Sequence, residues 1–165
     1  MIEITGRHVL LGVTGSIAAY KSPDIVRRLR EHGYEVRVVM TASAEKLISP
    51  TVFQAVSGEP VRGDLWDHHA EAAMGHIELA RWADHVLIAP ATANIIAELA
   101  AGAATNLLTT ICLATEASIT LAPAMNQAMW ADPATEANCD VLRKRNIRFI
   151  GPDSGSQACG DVGMG

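Results

Sequence analysis

Short apolar runs alternate along this chain with segments whose apolar residues recur every three or four positions. His8–Val13 (HVLLGV) ends at Thr14 and Gly15, the pattern of a buried strand entering a turn. Across 16–32 the apolar set is Ile17, Tyr20, Ile25, Val26 and Leu29, at helical spacing. Ser22-Pro23-Asp24 inside that stretch predicts a restart, with Ser22 as N-cap and proline in the first turn, and Gly33 predicts the stop. Glu35–Met40 (EVRVVM) reads as the second strand, followed at Thr41 by a short helix through Ile48. Ser49-Pro50 starts another short helix that ends at Gly58.

Residues 59–75 show little periodicity and read as a loop with room for one short strand. A helical turn or two over 77–83 precedes a third strand over 85–89, stopped by Pro90. Helices are expected over 93–101 and 106–115, separated by Gly102, then a fourth strand over 118–122, again stopped by a proline. A helix over 133–145 and a short strand over 148–150 follow. Residues 151–165 (GPDSGSQACGDVGMG) hold five of the thirteen glycines and almost no bulky apolar residues, so a flexible loop is expected.

Strands alternating with helices at these distances predict an α/β fold, a three-layer sandwich around a mainly parallel sheet. No internal repeat or linker divides the chain, so 1–165 reads as one domain. In such a sheet the binding crevice lies at the carboxyl ends of the strands. Small polar or glycine-bearing sequences stand at four of these ends: Thr14-Gly15-Ser16, Met40 to Ser43, Pro90 to Asn94 and Pro123 to Asn126. Their convergence points to a ligand site without naming the ligand.

Composition narrows the function. Hydrophobic residues make up 49% of the 165 positions, enough for a packed core, and aromatics only 4%, so Ala, Val, Ile and Leu must build it. A net charge of −5 argues against a nucleic-acid binder, which needs a basic face. No apolar run reaches the roughly 18 residues of a membrane span. Acidic Glu3 and the early strand do not read as a signal peptide, so a soluble, cytoplasmic protein is expected. The cysteines at 112, 139 and 159 have no zinc spacing, and His76 with Glu78 lacks a third ligand, so no metal site is expected.

Three places carry candidate chemistry. GVTGSIAAYK offers Gly15 and Ser16 at a helix start, where backbone N–H groups and a hydroxyl can meet an anion. The glycine spacing fits neither GxGxxG nor a P-loop, and a plain capped turn explains the residues equally well. His76, in GHIELARWAD, is placed either as a general base or as a capping or partly buried histidine. His68 and His69 read as solvent-exposed. Cys112 reads as a core residue, whereas Cys159, between Ala158 and Gly160, is either a functional thiol or an incidental one.

The segments GSIAAYK (15–21), HIELARWAD (76–84), APATAN (89–94), NLLTT (106–110), PAMNQAMW (123–130) and ACGD (158–161) together resemble the homo-oligomeric flavin-containing cysteine decarboxylases. GPDSGSQACGD (151–161) is similar to the bacterial subgroup acting in coenzyme A biosynthesis, in which a ligase domain is fused downstream. The resemblance runs from about residue 6 to the end of the chain.

That resemblance implies a Rossmann-like, flavodoxin-like fold and an FMN site made by Gly15, Ser16, Ile17, Thr41, Ser43, Thr92, Ala93, Asn94 and Ala124. It implies His76 as the base, Asn126 as the group holding the substrate carboxylate with Met125 beside it, and Cys159 as a proton donor. Cys159 and Ala158 would lie on a substrate clamp over 151–165. The implied substrate is 4′-phosphopantothenoylcysteine, converted to 4′-phosphopantetheine by transient oxidation, loss of carbon dioxide and re-reduction. The chemistry needs that oxidation because a simple cysteine amide leaves the electrons at Cα without a sink. Implied partners are further copies of the chain, as trimers and in the bacterial subgroup dodecamers, and no nucleic acid or membrane. The apolar surface of 89–114 agrees with such assembly or with a core helix. The family clamp continues past CGDxGxG into an Arg-Met pair, whereas this sequence stops at Gly165, so a shortened clamp without the ligase domain is expected. Rival functions are a flavin prenyltransferase, a non-catalytic regulatory relative and a flavodoxin-like electron carrier.

Overall fold

The computed structural model describes residues 6–66 and 75–165. Five parallel strands form one sheet: β1 (His8–Val13), β2 (Glu35–Met40), β3 (His85–Ala91), β4 (Ser118–Pro123) and β5 (Arg148–Phe149). Their spatial order is β2-β1-β3-β4-β5. From β1 the chain moves outward to β2, then returns across β1 to build the sheet on the other side. The order therefore reverses between β1 and β3, the place where an open α/β sheet leaves a crevice at its carboxyl edge.

Both faces are covered, which explains the near-continuous apolar strands. Val9, Leu11 and Val13 of β1 point to one face and pack with Val26 of α1 (Ser22–Glu31) and Phe53 of α3 (Pro50–Ser57). Leu10, Val86, Ile88 and Leu121 point to the other. There they meet Leu79 of α4 (Gly75–Trp82), Ile95 and Ile96 of α5 (Ala93–Ala101), Leu108 of α6 (Leu107–Ala114) and Leu142 of α8 (Pro133–Lys144). The sandwich has the three expected layers. Burying Phe53 alone stabilises it by roughly 2–3 kcal/mol. Gly12 has no room for a side chain, since a Cβ there would stand 2.7 Å from Leu108 Cδ1.

Local signals place most element ends. Ser49 caps α3 and Gly58 ends it at φ +77°. Asn106 and Thr109 form a reciprocal capping box at the start of α6. α6 is both a core and a surface helix: Leu107, Leu108 and Ile111 are buried while Leu113 is exposed.

Several expectations need correction. Ser22 does not cap α1; its buried hydroxyl donates to the Ala89 carbonyl at 2.8 Å, tying the helix to β3. The helix after Thr41 is only the single turn α2 (Ala42–Glu45). Pro90 does not stop β3, whereas β4 ends at Pro123 as expected. β3 shifts register after Ile88 and resumes with Ala91 opposite Pro123, a bulge that accommodates a residue lacking an N–H. A short helix, α7 (Gln127–Trp130), stands where none was anticipated. The glycine-rich 151–165 segment is no loose loop: β6 (Ser154–Ser156) and β7 (Val162–Met164) pair as an antiparallel hairpin. Glycine carries no hydrophobic pattern, so its strands leave no alternation to read. Cys112 is half-buried rather than fully in the core. His68 and His69 lie outside the described residues.

No helix among the described residues is long and apolar enough to cross a membrane.

Candidate active site

The crevice begins at the ends of β1 and β3. Thr14, buried just beyond β1, donates its hydroxyl to the Pro90 carbonyl at 2.6 Å and accepts from Thr92 N at 3.1 Å. One oxygen thus joins the two strand ends on either side of the switch point. Next, Gly15 and Ser16 turn the chain into a 3-10 helix (Ile17–Lys21), with Ser16 Oγ accepting from Ala18 N at 3.3 Å. Ser43 packs so closely on Gly15 that a Cβ on the glycine would overlap Ser43 Cβ. Thr41 caps α2 through Ala44 N, and Thr92 caps α5 through Ile95 N. Three capped helix starts thereby stand at the carboxyl edge of the sheet beside the switch point, the positive ends of their dipoles with them.

Of the remaining residues expected to hold a flavin, Ala93 and Asn94 form the first turn of α5, where Asn94 Nδ2 donates to Glu98 Oε1 at 3.1 Å. Ala124 N donates to the Ala91 carbonyl at 3.1 Å, holding the segment after β4 against β3. Ile17 is exposed. The turn at Gly15, closed by Ser43, and the surrounding hydroxyls of Ser16, Thr41 and Thr92 fit the phosphate end of a flavin nucleotide.

A second cluster lies beyond β4. Asn126 is the N-cap of α7, and its Oδ1 accepts from Ala128 N at 2.8 Å. Its Nδ2 donates to Gln157 Oε1 at 3.3 Å and to Cys159 Sγ at 3.7 Å. The Cys159 thiol lies 3.4 Å from Asp161 Oδ2, to which it donates. The β6–β7 hairpin reaches this position because Gly163 lets it close on the Gln127 side chain and Gly165 lets it close on the Met125 carbonyl. Ala158 and Cys159 are exposed at the hairpin's turn, and Met125 is half-buried below. Asn126, Met125, Ala158 and Cys159 are therefore brought together, and Gln157 and Asp161 join them unanticipated. Their only sequence signal is a polar side chain two positions either side of Cys159.

His76 is elsewhere. It occupies the first turn of α4, half-buried, where the Arg62 guanidinium lies against Gly75. Arg62 pairs with Val39 at the end of β2, so His76 stands by the edge strand. Asn126 follows β4, three strands away, roughly 14 Å at the usual spacing. Among the described residues no hydrogen bond links His76 with Asn126 or Cys159.

The other cysteines are less accessible than the exposed Cys159. Burial pushes the Cys112 thiol up to about 12, and Cys139, on the buried face of α8, is also shifted upward by burial. Neither is poised to exchange a proton near neutrality. A cavity of about 480 Å³, bordered by Cys112, Glu116, Arg145 and Arg148, lies at the opposite, amino edge of the sheet.

A family model described as Flavoprotein matches residues 2–165. The chain is 56% identical over 164 residues to the coenzyme A biosynthesis bifunctional protein CoaBC of Escherichia coli (strain K12), covering 99% of this chain and 40% of that protein. This chain thus spans about 40% of the length of the curated relatives it matches. Among solved structures, the FMN-dependent cysteine decarboxylase SpaF superposes with a TM-score of 0.85 at 37% identity, covering 98% of this chain and 91% of that one. A cysteine-to-serine variant of a PPC decarboxylase, complexed with pantothenoylaminoethenethiol, superposes with a TM-score of 0.84 at 33% identity, covering 98% and 90%.

Proposed function

The chain belongs to the flavoprotein family, and within it we propose that this domain is an FMN-dependent decarboxylase acting on 4′-phosphopantothenoylcysteine in coenzyme A biosynthesis. The observation that carries the proposal is the Asn126–Cys159 contact at 3.7 Å. It joins a neutral donor suited to a carboxylate and a thiol suited to donating a proton, beside a crevice suited to a flavin.

Gly15, Ser16, Ile17, Thr41, Ser43, Thr92, Ala93, Asn94 and Ala124 hold the cofactor. Bound flavin supplies the reversible two-electron chemistry that removes a hydride from the substrate and later returns one. Asn126 Nδ2 donates to the substrate carboxylate and orients it without a positive charge that would oppose loss of carbon dioxide. Met125 packs beside it. Cys159 donates a proton as the product is reduced, and the hairpin over it excludes water. His76 accepts the substrate thiol proton.

His76 reaches this chemistry from a neighbouring copy. Its place by β2, three strands from Asn126, supports an active site shared across the boundary of a homotrimer. A ligase domain joined downstream, as in the bifunctional relatives, completes the proposed polypeptide, and the cytoplasm is its proposed location.

Mass spectrometry of 4′-phosphopantothenoylcysteine incubated with the flavin-loaded protein tests the function. Loss of carbon dioxide alone is expected. Unchanged substrate in the presence of bound flavin would overturn it. A purely regulatory binding protein would also show no turnover, and there the residues at 76, 126 and 159 could be replaced without consequence.

A further inference from the structure

We propose that Gln157 is a positioning residue, a latch whose amide oxygen holds the hairpin turn and the N-terminus of α7 in one arrangement. The inference rests on the decarboxylase function proposed above, which gives Asn126 and Cys159 their tasks.

Two backbone donors settle the orientation of both amides. Gln127 N donates to Gln157 at 3.2 Å, so the atom it meets is the acceptor Oε1. Ala128 N donates to Asn126 at 2.8 Å, so that atom is Oδ1 and the other is Nδ2. Gln157 Oε1 therefore accepts from the first N–H of α7 and from Asn126 Nδ2, and the Cys159 thiol also lies within reach of it at 3.9 Å. The helix lacks an internal partner for that N–H, and a residue 30 positions later supplies it. The remaining Asn126 Nδ2 hydrogen goes to Cys159 Sγ. One side chain thus sets the direction of the carboxylate donor and the distance of the thiol from it.

The arrangement has a further consequence. With the hairpin closed on itself, both Asn126 donor hydrogens are taken, by Gln157 and by Cys159. A substrate carboxylate must displace one of them. Gln157 Nε2 is buried and has no partner among the described residues, so an arriving carboxylate brings an acceptor for it. Cys159 is the contact that yields, because its Asn126 link is the longer one and its own S–H is directed to Asp161 at 3.4 Å. Gln157 keeps its hold on Gln127 N throughout, and the turn stays within reach of the substrate.

Two substitutions separate this role from simple structural support. Gln157→Leu removes the shared acceptor at similar volume, and Gln157→Glu keeps an acceptor oxygen while exchanging the donor for a charge. Hydrogen exchange at the Gln127 amide is measured in flavin-loaded, substrate-free protein, and the product is weighed after turnover. Gln157→Leu is expected to speed Gln127 exchange about tenfold and to shift the product toward the oxidised form, lacking carbon dioxide and two hydrogens. Gln157→Glu is expected to restore protection and the fully reduced product, with a raised KM because its charge faces the substrate carboxylate. Wild-type exchange and an unchanged product ratio in Gln157→Leu would overturn the latch. So would an equal fall in both products. If the wild-type protein left the substrate unchanged, the decarboxylase function would fail, while Gln127 exchange would still decide the latch.

Discussion

The Thr14 hydroxyl and the Pro90 carbonyl are 2.6 Å apart across 76 residues, and this bond closes the gap between the ends of β1 and β3. A strand bulged around a proline presents carbonyls that its neighbour cannot satisfy through the ladder, and Thr14 satisfies one of them. The same oxygen accepts from Thr92 N at the head of α5. Thr14→Val keeps the shape and removes both bonds in a buried place. We expect a loss of about 1–3 kcal/mol of stability, read from urea unfolding, together with weaker flavin binding.

Gly15 is the point in the proposed cofactor site where the turn after β1 and Ser43 come closest. Any Cβ there would collide with Ser43. Gly15→Ala should therefore purify with little or no flavin while its circular dichroism remains that of a folded α/β protein. Full flavin occupancy in this variant would mean that the phosphate is held elsewhere.

The shared-site arrangement has its own test. His76→Asn should lower kcat by about 10²–10⁴-fold, the usual contribution of a general base, with flavin content unchanged. Cys159→Ser should release the oxidised product. Each variant alone lacks one group in every site, but a mixed oligomer places intact His76 and intact Cys159 across some boundaries. Co-expression of the two variants is expected to restore part of the fully reduced product. No restoration would place His76 and Cys159 of a single chain in the same site.

A buried imidazole outside the site makes stability depend on pH. His85 is buried in β3 with its Nδ1 2.6 Å from Ser118 Oγ. Burial, and next the Arg148 charge, hold its pKa below the ordinary histidine value of 6.5. The unfolded chain then takes up the proton before the folded one does. The stabilisation is complete above about pH 6.5 and is lost as pH falls through the lower, folded value. His85→Gln should flatten that slope, and thermal unfolding between about pH 5 and 7 would reveal it. An unchanged slope would assign the acid sensitivity to other groups.

Local chemistry made much of the fold legible. The run HVLLGV needs only its own apolarity to become a strand buried on both faces. Asn106 and Thr109 mark the start of α6 without help from the rest of the chain. The candidate crevice was legible for a related reason: strand ends in a parallel sheet converge, so small polar residues at Thr14 to Ser16, Met40 to Ser43 and Thr92 to Asn94 had to meet. Ser22 shows where that logic stops. It has the look of a cap, yet its hydroxyl turns to the Ala89 carbonyl because a buried acceptor on a neighbouring strand lies in reach.

Apolar spacing, caps and turn residues are short-range signals, and they were enough to specify the alternating elements, the parallel three-layer class and the edge of the sheet where the candidate crevice lies. The hairpin at the end of the chain, the passage of β3 through Pro90 and the meeting of Asn126, Gln157 and Cys159 were settled only once the chain had folded. The hairpin pairs residues six to ten positions apart through glycines that carry no pattern, while its docking on Asn126 and Gln127 and the pairing of Ala91 with Pro123 join residues some thirty positions apart. Such contacts form because loop closure and the space left by neighbouring elements allow them, and no local pattern carries that information. The distance of His76 from Asn126 is of the same kind, for it follows from the strand order β2-β1-β3-β4, a property of the assembled sheet.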